Sequence, residues 1–183
     1  MASQATSTDE TSWIEQGRNG SQRAFHKLYE ANVDRLYRFM KQFSKSDMEV
    51  EDWVQRAFIK AFNGLQQFRG NAKFSSWLFR IALNEMQSDR RRMNPVEAVG
   101  TLDETAKDST SAHDDFEWNA TMKTYLDGLD ETKRMVFILY EVEGYSHLEI
   151  ASMLGVGEST SRTILSRTKQ LLKQQWNSER RLQ

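Results

Sequence analysis

Apolar residues recur at three- and four-residue intervals along most of this 183-residue chain, and nowhere do they alternate with the period of two that a half-buried strand requires. That spacing restricts the chain to helices that each bury one face. From Ser21 to Phe43, the residues Phe25, Leu28, Tyr29, Val33, Leu36, Tyr37 and Met40 form one such stripe. Val50, Trp53, Val54, Ala57, Phe58, Ala61 and Phe62 form a second, with Asp47 as its expected N-cap and Asn63-Gly64 as its stop. A third helix, capped by Ser75 or Ser76, should turn Trp77, Leu78, Ile81 and Ala82 inward and end at the arginines 90 to 92. The pattern then lapses from Met93 to about Asp115, where the residues are small and acidic and the chain's only proline, Pro95, occurs. It resumes near Phe116 and runs through Met122, Tyr125, Leu126 and Leu129. The predicted fold is all-α: two small helical domains joined by an acidic flexible linker.

The second half contains the sharper local pattern. Asp130 should cap a helix with Met135, Val136, Leu139 and Val142 on one face, and Gly144 should end it. Ser146-His147-Leu148-Glu149 has the spacing of a capping box, in which the hydroxyl and the carboxylate satisfy reciprocal backbone donors at a helix start. Ile150, Ala151 and Leu154 follow on an inward face, Gly155 permits a tight turn, Val156 packs beneath it, and a polar helix runs from about Glu158 to Trp176. This is the layout of a helix-turn-helix.

Net charge is only −1, which excludes a simple nucleic-acid-coating protein, but the charge is segregated. Between Met93 and Ala120 seven acids face one base, Lys107. From Arg56 to Arg92 eight bases face two acids, and from Arg162 to Arg181 six bases face one. Two basic blocks around an acidic tether suit contact with a phosphate backbone, although charge alone favours solvated helix faces.

Several chemistries are excluded. Without cysteine there is no disulfide, no thiolate zinc site and no cysteine nucleophile. His26, His113 and His147 show no paired-ligand spacing and read as surface residues, and the nine glycines form no phosphate-binding loop. Adjacent acids such as Glu51 and Asp52 diverge by about 100° on a helix and do not converge on one substrate atom. No metal or cofactor is expected, and the chain is not expected to be an enzyme. No apolar run reaches the roughly 20 residues that span a bilayer, and the N-terminal residues lack the basic and apolar regions of a signal peptide, so a soluble, cytoplasmic protein without membrane insertion is expected.

A helix-turn-helix places its second helix in the major groove, where the first residues meet base edges and later bases meet phosphate. Arg162, Thr163, Ser166 and Arg167 are the candidates, since arginine can grip guanine in bidentate fashion and hydroxyls can contact several edges. In the first block, the segment Phe68 to Phe74 mixes aromatics with Gly70, Asn71 and the bases Arg69 and Lys73, beside a helix offering Arg80, Asn84, Arg90 and Arg91. Aromatic and amide groups next to positive charge suit unstacked bases. Phe68 and Phe74 are open to two readings, core packing or base contact, whereas Trp77 is assigned to the core and Asn71 and Asn84 to function.

These residues resemble a known family. Val54-Gln55-Arg56-Ala57-Phe58-Ile59-Lys60-Ala61-Phe62, then Phe68-Arg69-Gly70 and the run from Phe74 to Asn84, are similar to sigma domain two of the extracytoplasmic-function (ECF) sigma factors of bacterial RNA polymerase. The run Tyr140 to Ser146, with Glu149-Ile150-Ala151, Leu154-Gly155-Val156 and Leu165-Ser166-Arg167, is similar to sigma domain four. The resemblance implies an N-terminal tail and short helix at 1–20, domain two at 21–93, a linker at 94–117, domain four at 118–177 and a tail at 178–183. It implies a transcription initiation factor that binds core RNA polymerase, with Glu49, Glu51, Asp52 and Gln55 docking on the clamp helices of the beta-prime subunit and domain four meeting the flap of the beta subunit. It further implies that Phe68, Arg69, Asn71, Lys73, Phe74, Arg80, Asn84, Arg90 and Arg91 serve capture of a flipped minus-ten base, and that Ser159, Thr160, Arg162, Thr163, Ser166, Arg167 and Lys169 read the duplex minus-thirty-five element. Promoter DNA is therefore an implied partner and an anti-sigma factor an allowed one.

Three positions depart from the family pattern: Arg56 stands in place of an acid, Ser161 in place of a core valine, and Ile164 in place of an arginine. Two other functions compete. A helix-turn-helix regulator that binds duplex DNA without joining polymerase accounts for the second half alone, and a helical adaptor whose motifs are relics predicts no DNA affinity.

Overall fold

The computed structural model describes residues 7–93 and 120–180, in two compact units divided between Ala98 and Val99. The expected linker at 94–117 and the return of periodicity near Phe116 lie outside the described residues. Among the described residues every regular element is a helix.

The first unit consists of α1 (Ser7–Arg18), α2 (Gln22–Met40), α3 (Asp47–Asn63), a short 3-10 turn (Leu65–Gln67) and α4 (Phe74–Met93). Ser21 caps α2 by accepting the Ala24 N–H at 3.3 Å. The cap of α3 is Ser46, which accepts the Glu49 N–H at 3.3 Å, and not the expected Asp47. The Asp47 carboxylate is engaged elsewhere, accepting from the Tyr37 hydroxyl at 3.1 Å and pairing with the Lys41 ammonium. Nor do Ser75 and Ser76 cap α4, which begins at Phe74 and buries both serines in its first turn. The Phe74 ring packs edge-on to Phe68 and Trp77, and that packing draws the helix start back.

The inward face of α4 is also rotated from expectation. Phe74, Leu78, Phe79, Ala82, Leu83 and Met86 are buried, while Trp77 and Ile81 are half-buried. Phe79 sets this face by meeting Phe39 of α2 with ring centroids 5.0 Å apart. Alanines 57 and 61 of α3 and Ala82 of α4 are fully buried, and such small side chains let helices approach closely. Around them Trp53, Val50, Leu36, Met40 and Leu65 complete the core, each large apolar side chain contributing about 1.5–3 kcal/mol by leaving water.

A polar lock closes the far end of the α3–α4 pair. Asp89 accepts from Trp53 Nε1 at 2.9 Å and from Arg56 in two-pronged fashion, through Nη1 at 3.0 Å and through Nη2. Arg56 also pairs with Asp52 at 3.0 Å and lies 3.8 Å from the buried Glu85, which is held by Lys60 as well. The Arg56 hydrogen bond holds the Asp89 carboxyl below its usual range against the opposing effect of burial, and the Trp53 N–H adds to the lowering.

The second unit consists of α5 (Ala120–Asp127), α6 (Glu131–Phe137) continuing as a π-helical turn (Ile138–Val142), α7 (His147–Leu154) and α8 (Glu158–Arg180). Asp130 caps α6 as expected, accepting the Lys133 N–H at 2.9 Å. Gly144, at φ +71°, lets Tyr145 N–H reach back to the Leu139 carbonyl and ends the π turn. The capping box is complete: Glu149 N–H donates to Ser146 Oγ, and Ser146 N–H donates to Glu149 Oε2 at 2.9 Å. Gly155, at φ +69°, supplies the left-handed turn between α7 and α8. Val136, Leu139, Ile150, Ala151, Met153 and Leu165 form the core of the pair.

Asp89→Ala removes the acceptor shared by Trp53 and Arg56, so it should lower the stability of the first unit by about 1–3 kcal/mol, whereas the exposed Glu51→Ala should change it by less than about 0.5 kcal/mol. Urea unfolding midpoints of the two variants check this. Equal midpoints would show that the lock contributes nothing.

Candidate nucleic-acid interface

The seven residues expected at the minus-thirty-five element all lie on α8 and all are exposed. At about 100° per residue they fall on one half of the helix circumference, opposite a buried strip made by Ser161, Leu165, Thr168 and Leu172. Arg162 reaches Glu158 one turn back, at 2.5 Å. Lys169 pairs with Glu141 at 2.6 Å and lies 5.8 Å from the centre of the Tyr140 ring. Ile164 is half-buried at the edge of the strip, and its carbonyl accepts from the buried Thr168 hydroxyl at 2.8 Å.

His147 is not the surface residue that its spacing suggested. Its ring is buried, stacks on Tyr140 at 4.5 Å and 22°, and brings Nδ1 to 3.0 Å from Ser161 Oγ. Ser161 is itself fully buried. The polar departure from the family's core valine thus has a partner, and one hydrogen bond links α7 to α8 whichever ring nitrogen carries the proton. Burial pushes the His147 pKa below its ordinary 6.5, and Arg162 and Lys169 push the same way against Glu158.

In the first unit, Arg69, Gly70, Asn71 and Lys73 form an exposed loop, with Gly70 at φ +73°. Arg80, Asn84 and Arg91 are exposed on α4 at spacings of four and seven, and they share a face with the half-buried Trp77, whose ring lies 5.0 Å from Phe68. Loop and stripe are both basic and amide-bearing, and α4 begins at Phe74, directly after the loop. Three residues expected beside them are elsewhere. Phe68 and Phe74 are buried, 7% and 1% exposed, because their rings pack against each other and Trp77 to seal the core under the loop. Arg90 lies round the helix from the stripe, half-buried, with its guanidinium donating to the Phe43 carbonyl at 2.7 Å.

The acidic residues of α3 divide likewise. Glu51, Asp52 and Gln55 are exposed on one face, flanked by Met48 and Ile59, which are 79% and 52% exposed. Glu49 sits at the margin and accepts from the Ser44 hydroxyl at 2.5 Å. Arg56, the charge-reversed position, turns its guanidinium to Asp89 and Asp52. Among the described residues no group of histidines and carboxylates is placed to hold a metal ion, and no helix is long and apolar enough to cross a membrane.

Above the unfolded pKa near 6.5, His147 is neutral in both states and its contribution to the second unit is complete; as pH falls below that value the unfolded chain takes up the proton first and stability declines. Hydrogen-exchange protection of α7 and α8 amides should therefore fall between pH 7.5 and 5.5, and less so in His147→Phe. Ser161→Val alone should cost about 1–3 kcal/mol by leaving the ring nitrogen unsatisfied, and adding His147→Phe should recover much of it. A pH-independent protection pattern, or a harmless Ser161→Val, would contradict this account.

Comparison with known proteins assigns a family to each unit. The family model for Sigma-70 region 2 matches residues 28–94 and that for Sigma-70, region 4 matches residues 121–172. The chain is 28% identical to the ECF RNA polymerase sigma factor SigW of Bacillus subtilis over 88% of its own length and 94% of the relative's. It is 28% identical to the ECF RNA polymerase sigma-E factor of Escherichia coli, covering 87% of this chain and 90% of that one. Among solved structures, CnrH in complex with the cytosolic domain of CnrY superposes with a TM-score of 0.67 at 24% identity over 93% of this chain and 98% of that one. The sigma factor RpoE of Bartonella quintana, solved with the anti-sigma factor NepR, gives 0.64 at 23% identity over 82% and 94%. With a region 2 unit and a region 4 unit in family order, the chain belongs to the sigma-70 family and is an ECF sigma factor of RNA polymerase.

Proposed function

We propose that the chain directs core RNA polymerase to promoters by dividing recognition between its two units. The exposed half of α8 reads the minus-thirty-five duplex with Ser159, Thr160, Arg162, Thr163, Ser166, Arg167 and Lys169. The loop Arg69–Lys73 and the stripe Arg80, Asn84 and Arg91 hold single-stranded minus-ten DNA and capture one flipped base. Unstacking costs a few kcal/mol, which a pocket offsets only for the base it fits. The observation that supports this reading is the exposure of Arg69, Asn71 and Lys73 in the loop and of Arg80, Asn84 and Arg91 along one face of α4. Buried Phe68 and Phe74 support the loop from below and leave base contact to Asn71 and Asn84.

The α3 face of Glu51, Asp52 and Gln55, with Met48 and Ile59 at its ends, docks on the clamp helices of beta-prime, and the second unit meets the beta flap. Because Arg56 is neutralised by carboxylates of its own unit, its sign does not oppose a basic partner. The complex of the Bartonella factor with the anti-sigma factor NepR supports an anti-sigma factor as a further partner of this chain. The helix-turn-helix regulator leaves the α3 face and the loop without a use.

Transcription reconstituted from the purified chain, core polymerase and a promoter library tests the reading. Asn71→Ala with Asn84→Ala should change the minus-ten preference and lower open-complex yield, while Arg162→Ala with Arg167→Ala should change only the minus-thirty-five preference; a joint shift in both would defeat the division of labour. Glu51→Lys should weaken core-polymerase binding through lost charge complementarity, and unchanged affinity would remove α3 from the docking surface.

A further inference from the structure

The first unit contains a contact that neither basic surface uses. The Arg18 guanidinium, at the end of α1, donates through Nε to the Leu65 carbonyl at 3.4 Å and through Nη2 to the Phe68 carbonyl. Those two carbonyls belong to the 3-10 turn and to the last buried residue before the exposed loop begins. The Leu65 carbonyl already accepts the Phe68 N–H at 3.2 Å, so the planar fork adds a second donor there and serves the Phe68 carbonyl with its other prong. Gly17 makes the approach possible, since a Cβ there would lie 2.7 Å from Leu65 Cδ2 and 3.0 Å from the Phe25 ring.

We infer that Arg18 is a positioning residue for minus-ten base capture: by holding the Leu65 and Phe68 carbonyls it fixes where the loop Arg69–Lys73 leaves the core, and so governs base selectivity without touching DNA. This rests on the reading of the loop as the base-capture element. A loop held at its entry presents Asn71 at one place. Released there, it samples several positions, and the fitted base loses its advantage over the others.

The test uses holoenzyme assembled from core polymerase and the full-length chain, offered a randomised single-stranded DNA library and then the preferred sequence with its single-base variants. For Arg18→Ala, the ratio of affinities for the preferred and non-preferred base should fall about tenfold, the equivalent of one charge-assisted hydrogen bond, with core-polymerase affinity and duplex minus-thirty-five preference unchanged. Arg18→Lys, which offers one ammonium for two carbonyls, should give a smaller loss and is read in place of the alanine variant should that one fail to assemble. If wild-type holoenzyme discriminates and the assembled variants keep the same ratio, Arg18 is a stability residue and the inference is overturned while the capture loop stands. If wild-type holoenzyme shows no base preference on single strands, the capture loop itself is refuted and the inference with it.

Discussion

Helices α3 and α4 are tied together at Asp89 and carry fully buried alanines at 57, 61 and 82, side chains small enough for close packing, and the outward surfaces of the first unit depend on that pairing. A helix pair packed along one seam exposes the two opposite faces, and here one is acidic with apolar ends and the other basic with amides. Larger side chains at the seam would separate the helices and shift the stripe of Arg80, Asn84 and Arg91 against the loop. The Asp89 lock sits at the end of the same seam. It fixes the rotation of α4, and with it the circumferential position of every exposed residue on that helix.

The second unit solves a different problem with a less familiar device. Helix-turn-helix cores are ordinarily apolar, but this one has a fully buried serine and a buried histidine facing each other. Each alone would be a cost, since a buried polar group without a partner forfeits its bonds to water. Together they form a directional contact that specifies how α8 rotates against α7, which aliphatic packing does less strictly. The rotation matters because it decides which half of α8 faces outward.

Much of this was legible in the sequence. The helices, the linker-sized lapse in period, the capping box and the glycine turn each have a local chemical cause that one stretch of chain contains whole. The failures come from packing and polar partners that helical periodicity does not register. Ser46 displaced Asp47 as a cap because Lys41 and Tyr37 claim the carboxylate. The inward face of α4 was rotated because Phe39, far away in the chain, meets Phe79. Phe68, Phe74 and Arg90 left the candidate interface for the same kind of reason, and Arg18 was missed because nothing in its own neighbourhood signals the carbonyls it serves, some fifty positions further on. His147 was the reverse case: the family departure at Ser161 was visible, and a buried polar residue asks for a partner, but sequence spacing does not say which one.

The π-helical turn at Ile138–Val142 has an implication of its own. Such a turn accommodates one residue more than an α-helical turn would, so it behaves as a stored insertion. It contains Tyr140, whose ring stacks on His147, and Glu141, which pairs with Lys169. Losing a single codon here would restore an ordinary helix, and because the wider turn had absorbed the extra residue, the flanking segments would keep their faces. The change would fall within the turn itself, on the ring over the histidine and the carboxylate on the lysine.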